Sequence, residues 1–191
     1  MKKVAFFVLL AFAVLVAAQA QAGLPATFKE FKARYQTEGR SMEGAAHLYF
    51  EAVFCYMNEA TRPEASKMLR YAMYLPVVLE SSHANRTFVN RLKDPEYHHI
   101  FRSFVEGTSP ETNYIIDPNN FTLAITSKRQ EADFFHLGIR SSGADSTRSI
   151  WMQQHDGLWY VINNASTYAQ VRAPKASTDA QRNRHDADYD K

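Results

Sequence analysis

Phe134-Phe135-His136-Leu137-Gly138-Ile139 alternates Phe135, Leu137 and Ile139 with Phe134, His136 and Gly138. Side chains keep that period of two when they point to opposite faces of a β-sheet. The same rhythm runs through Phe121, Leu123 and Ile125 before it, and through Ile150 and Met152 after it. Asp117-Pro118-Asn119-Asn120, the polar loop from Ser141 to Thr147, and Asp156-Gly157 separate these stretches, and each is turn chemistry. A last strand is expected over Tyr168 to Val171, ending at Pro174. Consecutive strands with short polar links predict an antiparallel meander.

Upstream of Gly107 the period is helical instead. Phe28, Phe31 and Tyr35 recur at i, i+3 and i+7, and Thr27 with Glu30 has capping-box spacing. Ser41 to Asn58 carries a broad apolar stripe. Thr61-Arg62-Pro63-Glu64 opens a third helix, with Thr61 placed to cap it and an end expected before Pro76. Phe88, Val89 and Leu92 line a short helix, and Asp94-Pro95-Glu96 starts one whose stripe Tyr97, Ile100, Phe101 and Phe104 stops at Gly107. Helices first and strands afterwards give an α+β class, an N-terminal helical layer packed on a C-terminal twisted antiparallel sheet.

The first 22 residues have a different logic. Lys2 and Lys3 precede an apolar run from Val4 to Val16, and the segment closes on Ala17-Ala18-Gln19-Ala20-Gln21-Ala22. That order is a secretory signal peptide, with cleavage expected after Ala20 or Ala22 and the second favoured because composition changes at Gly23. The run is too short to span a bilayer and no lipobox follows it, so no stable membrane anchor is expected after cleavage. Localisation should be exported, periplasmic or secreted. Residues 23–174 form a single α+β domain. Residues 175–191 hold four basic and four acidic side chains with Ala and one Tyr as their only apolar types, and this composition predicts a disordered tail.

The chain has 22 Lys and Arg against 20 Asp and Glu, and the surplus is Lys2 and Lys3. A balanced charge with no basic cluster excludes nucleic acid as an expected partner. Cys55 is the lone cysteine, so no internal disulfide forms and burial is its expected state. Three N-x-S/T sequons, at Asn85, Asn120 and Asn164, are incidental in a bacterial exported protein.

The helical block, the Met68-Leu69-Arg70-Tyr71-Ala72-Met73 helix and the strand entry Asp156-Gly157-Leu158-Trp159-Tyr160-Val161 resemble the cone-shaped α+β roll of the nuclear transport factor and ketosteroid isomerase superfamily. Asp94 to Asn120 is similar to exported bacterial domains of unknown function. The roll resemblance implies a pocket on the concave sheet face, where isomerase-like chemistry would need a carboxylate base and a hydrogen-bond donor in an apolar cavity.

The residues themselves offer weak candidates for such chemistry. His47 and Glu51 lie four apart on one helix face, a spacing for a metal or a base with its orienter, or for a plain hydrogen bond; no third ligand accompanies them, and no metal or other cofactor is expected. His98 and His99 point about 100 degrees apart on their helix, and a helix-surface role is the plainer reading. His136, with Asp133 and Tyr114 nearby in sequence, is catalytic only if the Phe134 face is the concave one. Trp151, Trp159 and Phe134 form either a ligand-stacking platform across a hairpin or ordinary cross-strand core pairs. The leading expectation is an exported, non-enzymatic domain binding a small ligand or an envelope protein. A small isomerase- or hydrolase-like enzyme with a histidine and carboxylate pocket is the alternative.

Overall fold

The computed structural model describes residues 23–189, with the side chains of residues 185–189 excepted; the signal peptide expected over residues 1–22 lies outside the described residues. Three helices come first: α1 (Phe28–Glu38), α2 (Met42–Met57) and α3 (Arg62–Ala72). α4 (Arg86–Lys93) and the short α5 (His98–Arg102) follow. The strands β1 (Ile125–Glu131), β2 (Phe134–Ile139), β3 (Arg148–His155) and β4 (Leu158–Asn163) make one antiparallel sheet in the order β1-β2-β3-β4. The fold is α+β, with a meander.

Local chemistry explains most boundaries. Thr27 caps α1 through Glu30 N at 3.2 Å, and the Glu30 carboxylate reaches back one residue past the cap to accept from Ala26 N, a variant of the expected box. Ser41 caps α2 at Gly44 N. Thr61 does not cap α3: its hydroxyl donates to Cys55 O and Asn58 O, tying off the end of α2, while Glu64 accepts from Phe28 N across to α1. Asp94 caps at Glu96 N, but the turn it opens, Pro95–Tyr97, is a 3-10 helix before α5 begins. Asp156 and Gly157 both take left-handed φ values, 50° and 79°, the two-residue hairpin geometry that matches strand twist.

Two strand expectations shift. Phe121 and Leu123 lie in extended chain that makes only an isolated bridge, Val105 with Leu123, and β1 continues instead through the polar run to Glu131. Tyr168 ends a 3-10 turn, Ala165–Tyr168, where a strand was expected. Residues 175–189, for which composition predicts disorder, form the helix α6 (Lys175–Tyr189). Its first residues are tied back to the domain by Lys175 N to Pro110 O and Ala176 N to Asn113 Oδ1, and further on Lys175 pairs with Asp179 while Arg182 lies 3.6 Å from the same carboxylate.

The core is aromatic and continuous. Tyr35, Tyr49, Tyr56, Phe31, Phe50, Phe88 and Phe101 are fully enclosed, and Leu137, Ile139, Ile150, Met152 and Val161 join them from the sheet. These side chains fill the space between the sheet and the helices. α1 also closes one sheet edge, because Trp159 N donates to Gly39 O at 2.8 Å and the Tyr35 hydroxyl donates to Trp159 O at 2.7 Å. Such closure satisfies strand groups that would otherwise face water.

Candidate functional site

Four aromatic rings converge on an open groove of about 470 Å³ between α1, the end of α3 and β4, lined by Phe28, Tyr71, Tyr74 and Tyr160 with Lys67 and Arg70 on its rim. α3 ends in a Schellman motif: Leu75 N returns to Arg70 O and Tyr74 N to Tyr71 O, each at 3.0 Å. The residue after the cap must then be left-handed, a place usually given to glycine. Here it is Tyr74, with φ at 51°.

The strain places an aromatic ring over the groove. Tyr74 is 53% exposed, yet its ring stacks on His155 at 4.3 Å and 3° and leans on Tyr160 at 4.8 Å. Tyr71 packs edge-on to Tyr160 at 5.8 Å and to Phe28 at 5.9 Å. Burial and a hydrogen bond to Tyr71 push the Tyr160 hydroxyl well above the usual phenol range. Lys32 sits 5.7 Å above the Tyr71 ring. Arg70 holds Leu75 O and Pro76 O, and Lys67 pairs with Glu64. Val77 and Val78, both exposed, follow directly. The groove combines ring faces, phenol hydroxyls and a cationic rim.

The residues singled out from sequence do not converge on one place. His47 and Glu51 do meet, with Nδ1 3.3 Å from Oε1, and Arg34 Nη2 reaches the same oxygen at 2.8 Å while also pairing with Glu38. The His47 ring stacks on Phe121 at 4.3 Å. Burial lowers the Arg34 guanidinium, but its bonds to Glu38 and Glu51 outweigh that and hold it charged. Glu51 is almost wholly enclosed, and its Oε2 has no hydrogen-bond partner among the described residues. This cluster ties α1 to α2.

His136 stands on the sheet face that bears Arg129, Glu131 and Trp151, since it pairs directly with Arg129 and Trp151. Leu137 and Ile150 occupy the opposite, enclosed face, so His136 lies on the outer one. Its Nε2 approaches Glu131 Oε2 to 3.0 Å, an ion-pair distance whose angles do not make a hydrogen bond. Phe134 stacks on Trp151 at 4.9 Å and 12°. Asp133 is exposed in the β1–β2 turn. Tyr114 is elsewhere, fully enclosed beside His99, with its hydroxyl donating to Arg172 O at 2.8 Å.

Trp151 and Trp159 do not form a pair. The tight turn sets Trp159 opposite Gln154, three residues from Trp151, so the two rings point to opposite faces; Trp159 meets Phe135 edge-on at 5.1 Å. His98 is buried with Nε2 at 2.9 Å from Leu92 O, and His99 Nδ1 meets Glu96 O. Burial lowers both imidazoles below their usual range. Cys55 is buried against Pro25 O, and burial, with the charges of Glu51 and Glu30 adding to it, pushes its thiol up to about 12. That is the signature of an inert thiol.

Among the described residues no cluster of three His, Cys, Asp or Glu side chains could hold a metal ion, and no helix is long and apolar enough to cross a membrane. The groove at Tyr74 carried little sequence signal. Tyr71 sits on a recognisable helix, but its partners come from β4 and from a helix end, and only the unusual Tyr at a glycine position marks it.

Comparison with known proteins covers nearly the whole described domain. The model of a domain of unknown function (DUF6935) matches residues 23–175. The chain belongs to that family. No curated protein and no solved structure matches it. The family's matched span starts at Gly23 and ends at Lys175, the first residue of α6, so it takes in both the aromatic groove and the outer sheet face.

Proposed function

We propose that this member of the family is an exported, non-enzymatic binding domain that takes a small ring-bearing anion in the groove of Phe28, Tyr71, Tyr74 and Tyr160. Tyr74 carries the reading. A left-handed conformation costs an L-residue roughly 1–2 kcal/mol, and backbone strain of this kind clusters where a side chain must be presented. Here it holds a half-exposed ring against His155 at the mouth of an aromatic groove. Lys67, Arg70 and Lys32 supply the complement to a negative group, and the groove's volume is within the range of small-molecule sites. Export is supported by the signal-like order of residues 1–22 and by a family match that begins at Gly23.

The test is a two-dimensional NMR titration of the purified protein with benzoate, indole-3-acetate and glucose. Benzoate or indole-3-acetate should shift resonances of Tyr71, Tyr74 and Tyr160, with glucose doing so weakly. Shifts confined to other regions, or none with either anion, would sink the reading.

A second reading rests on the open sheet face, where Trp151 is 36% exposed and stacked on Phe134, flanked by Arg129 and Glu131. It makes that face a dock for an envelope protein. The isomerase- or hydrolase-like alternative needs a histidine and a carboxylate meeting in a cavity. His47 with Glu51 and His136 with Glu131 pair a histidine with a carboxylate, but neither pair lines the aromatic groove.

A further inference from the structure

A second groove, of about 500 Å³, opens where the start of the domain crosses α2, α5 and the segment before β1. Its walls are Leu24, Phe54, Met57, Ile115 and Ile116, and Ile115 is 76% exposed at its mouth. Arg102, the last residue of α5, also lines it and is only partly exposed. Among the described residues no carboxylate or carbonyl pairs with its guanidinium. A half-buried cation without a counter-ion is costly, and proteins ordinarily pair such a group. Two other half-buried arginines follow that rule: Arg34 has Glu38 and Glu51, and Arg91 donates to Tyr168 O.

We infer that this groove is a binding site for a single-chain anionic amphiphile, a fatty-acid carboxylate, with the head group on Arg102 and the chain along Leu24, Phe54, Met57, Ile115 and Ile116. Two observations fit together. An exposed Ile115 beside an apolar wall leaves hydrocarbon surface for a ligand to cover. The planar fork of an arginine matches a carboxylate with two parallel hydrogen bonds. His98, also in the wall, does not compete for the head group. Burial keeps it neutral, the Arg102 charge adds to that, and its Nε2 is engaged by Leu92 O. The site is separate from the aromatic groove and shares no residue with it.

Isothermal titration calorimetry of the purified protein with decanoate, below its micellar concentration, tests the inference. Decanoate should bind once per chain, and decanol roughly ten-fold or more weaker, as expected for loss of a charge-assisted pair. Arg102→Met should weaken decanoate by about the same factor without lowering the melting temperature, because it removes an uncompensated charge. Ile115→Glu places a like charge at an exposed position and should also weaken binding, independently of any effect of Arg102→Met on folding. Tyr74→Gly should leave decanoate binding unchanged. No decanoate binding, unchanged binding in Arg102→Met, or loss in Tyr74→Gly instead would overturn the assignment. Competition by inorganic phosphate as strong as by decanoate would overturn it as well, since it would leave the apolar wall without a role.

Discussion

Replacing Tyr74 with glycine separates the cost of its backbone from the use of its ring. At φ of 51° the tyrosine carries roughly 1–2 kcal/mol that glycine would release. The ring's stack on His155 at 4.3 Å and its contact with Tyr160 at 4.8 Å would be lost. Each aromatic contact is worth about 0.5–1.5 kcal/mol, nearer the low end for a ring that is 53% exposed. The two sums cancel, so Tyr74→Gly should unfold in urea within about 1 kcal/mol of the native protein. Tyr74→Ala keeps the strain and loses the ring, so it should be less stable than the glycine variant by about 1 kcal/mol. Both should lose benzoate or indole-3-acetate binding, read by the same NMR titration. If the glycine variant cost several kcal/mol, the ring would be a core element. If it bound the anions normally, the strain would have no bearing on the groove.

Other perturbations probe the rest of the molecule. Arg34→Met removes the arginine from a nearly fully enclosed Glu51 and leaves only His47 beside that carboxylate, and should cost roughly 3–5 kcal/mol in chemical denaturation; adding Glu51→Gln should restore part of it. Gly44→Ala would normally favour a helix, but its Cβ would meet Glu38 O at 2.1 Å, so the variant should be destabilised by about 1–3 kcal/mol. A melting temperature at or above the native one would refute that. His98 and His99 are both held below their ordinary 6.5 by burial. The unfolded chain therefore binds more protons, and stability should fall as pH drops below about 6.5. His98→Gln should flatten that decline; an unchanged slope in the variant would refute the role given to His98.

Elements are legible in the sequence where burial imposes a period. Leu137, Ile139, Ile150 and Met152 announce the enclosed sheet face because each is shut from water on one side, and Asp156-Gly157 announces its hairpin through the backbone it requires. β1 was hidden for the converse reason: from Thr126 to Glu131 it is an edge strand with no fully buried residue, so no alternation was imposed on it. The tryptophan platform failed on parity, since only the register of the turn decides which face a ring takes. The aromatic groove depends on Tyr71 and Tyr160, nearly ninety positions apart, and no local pattern joins them. His47 with Glu51 was legible as a pair because four residues is a helical neighbour distance, while their joint attachment to Arg34 and Phe121 was not.

The contact of α1 with β4 limits how the molecule can grow. Trp159 ties the outer border of β4 to Gly39 and Tyr35, whereas the β1 border lies in water from Ser127 to Glu131 and carries Lys128, Arg129 and Glu131. Charges on an open strand border oppose pairing with the strand of a second copy, so the side of the sheet that α1 does not reach is guarded by its own side chains.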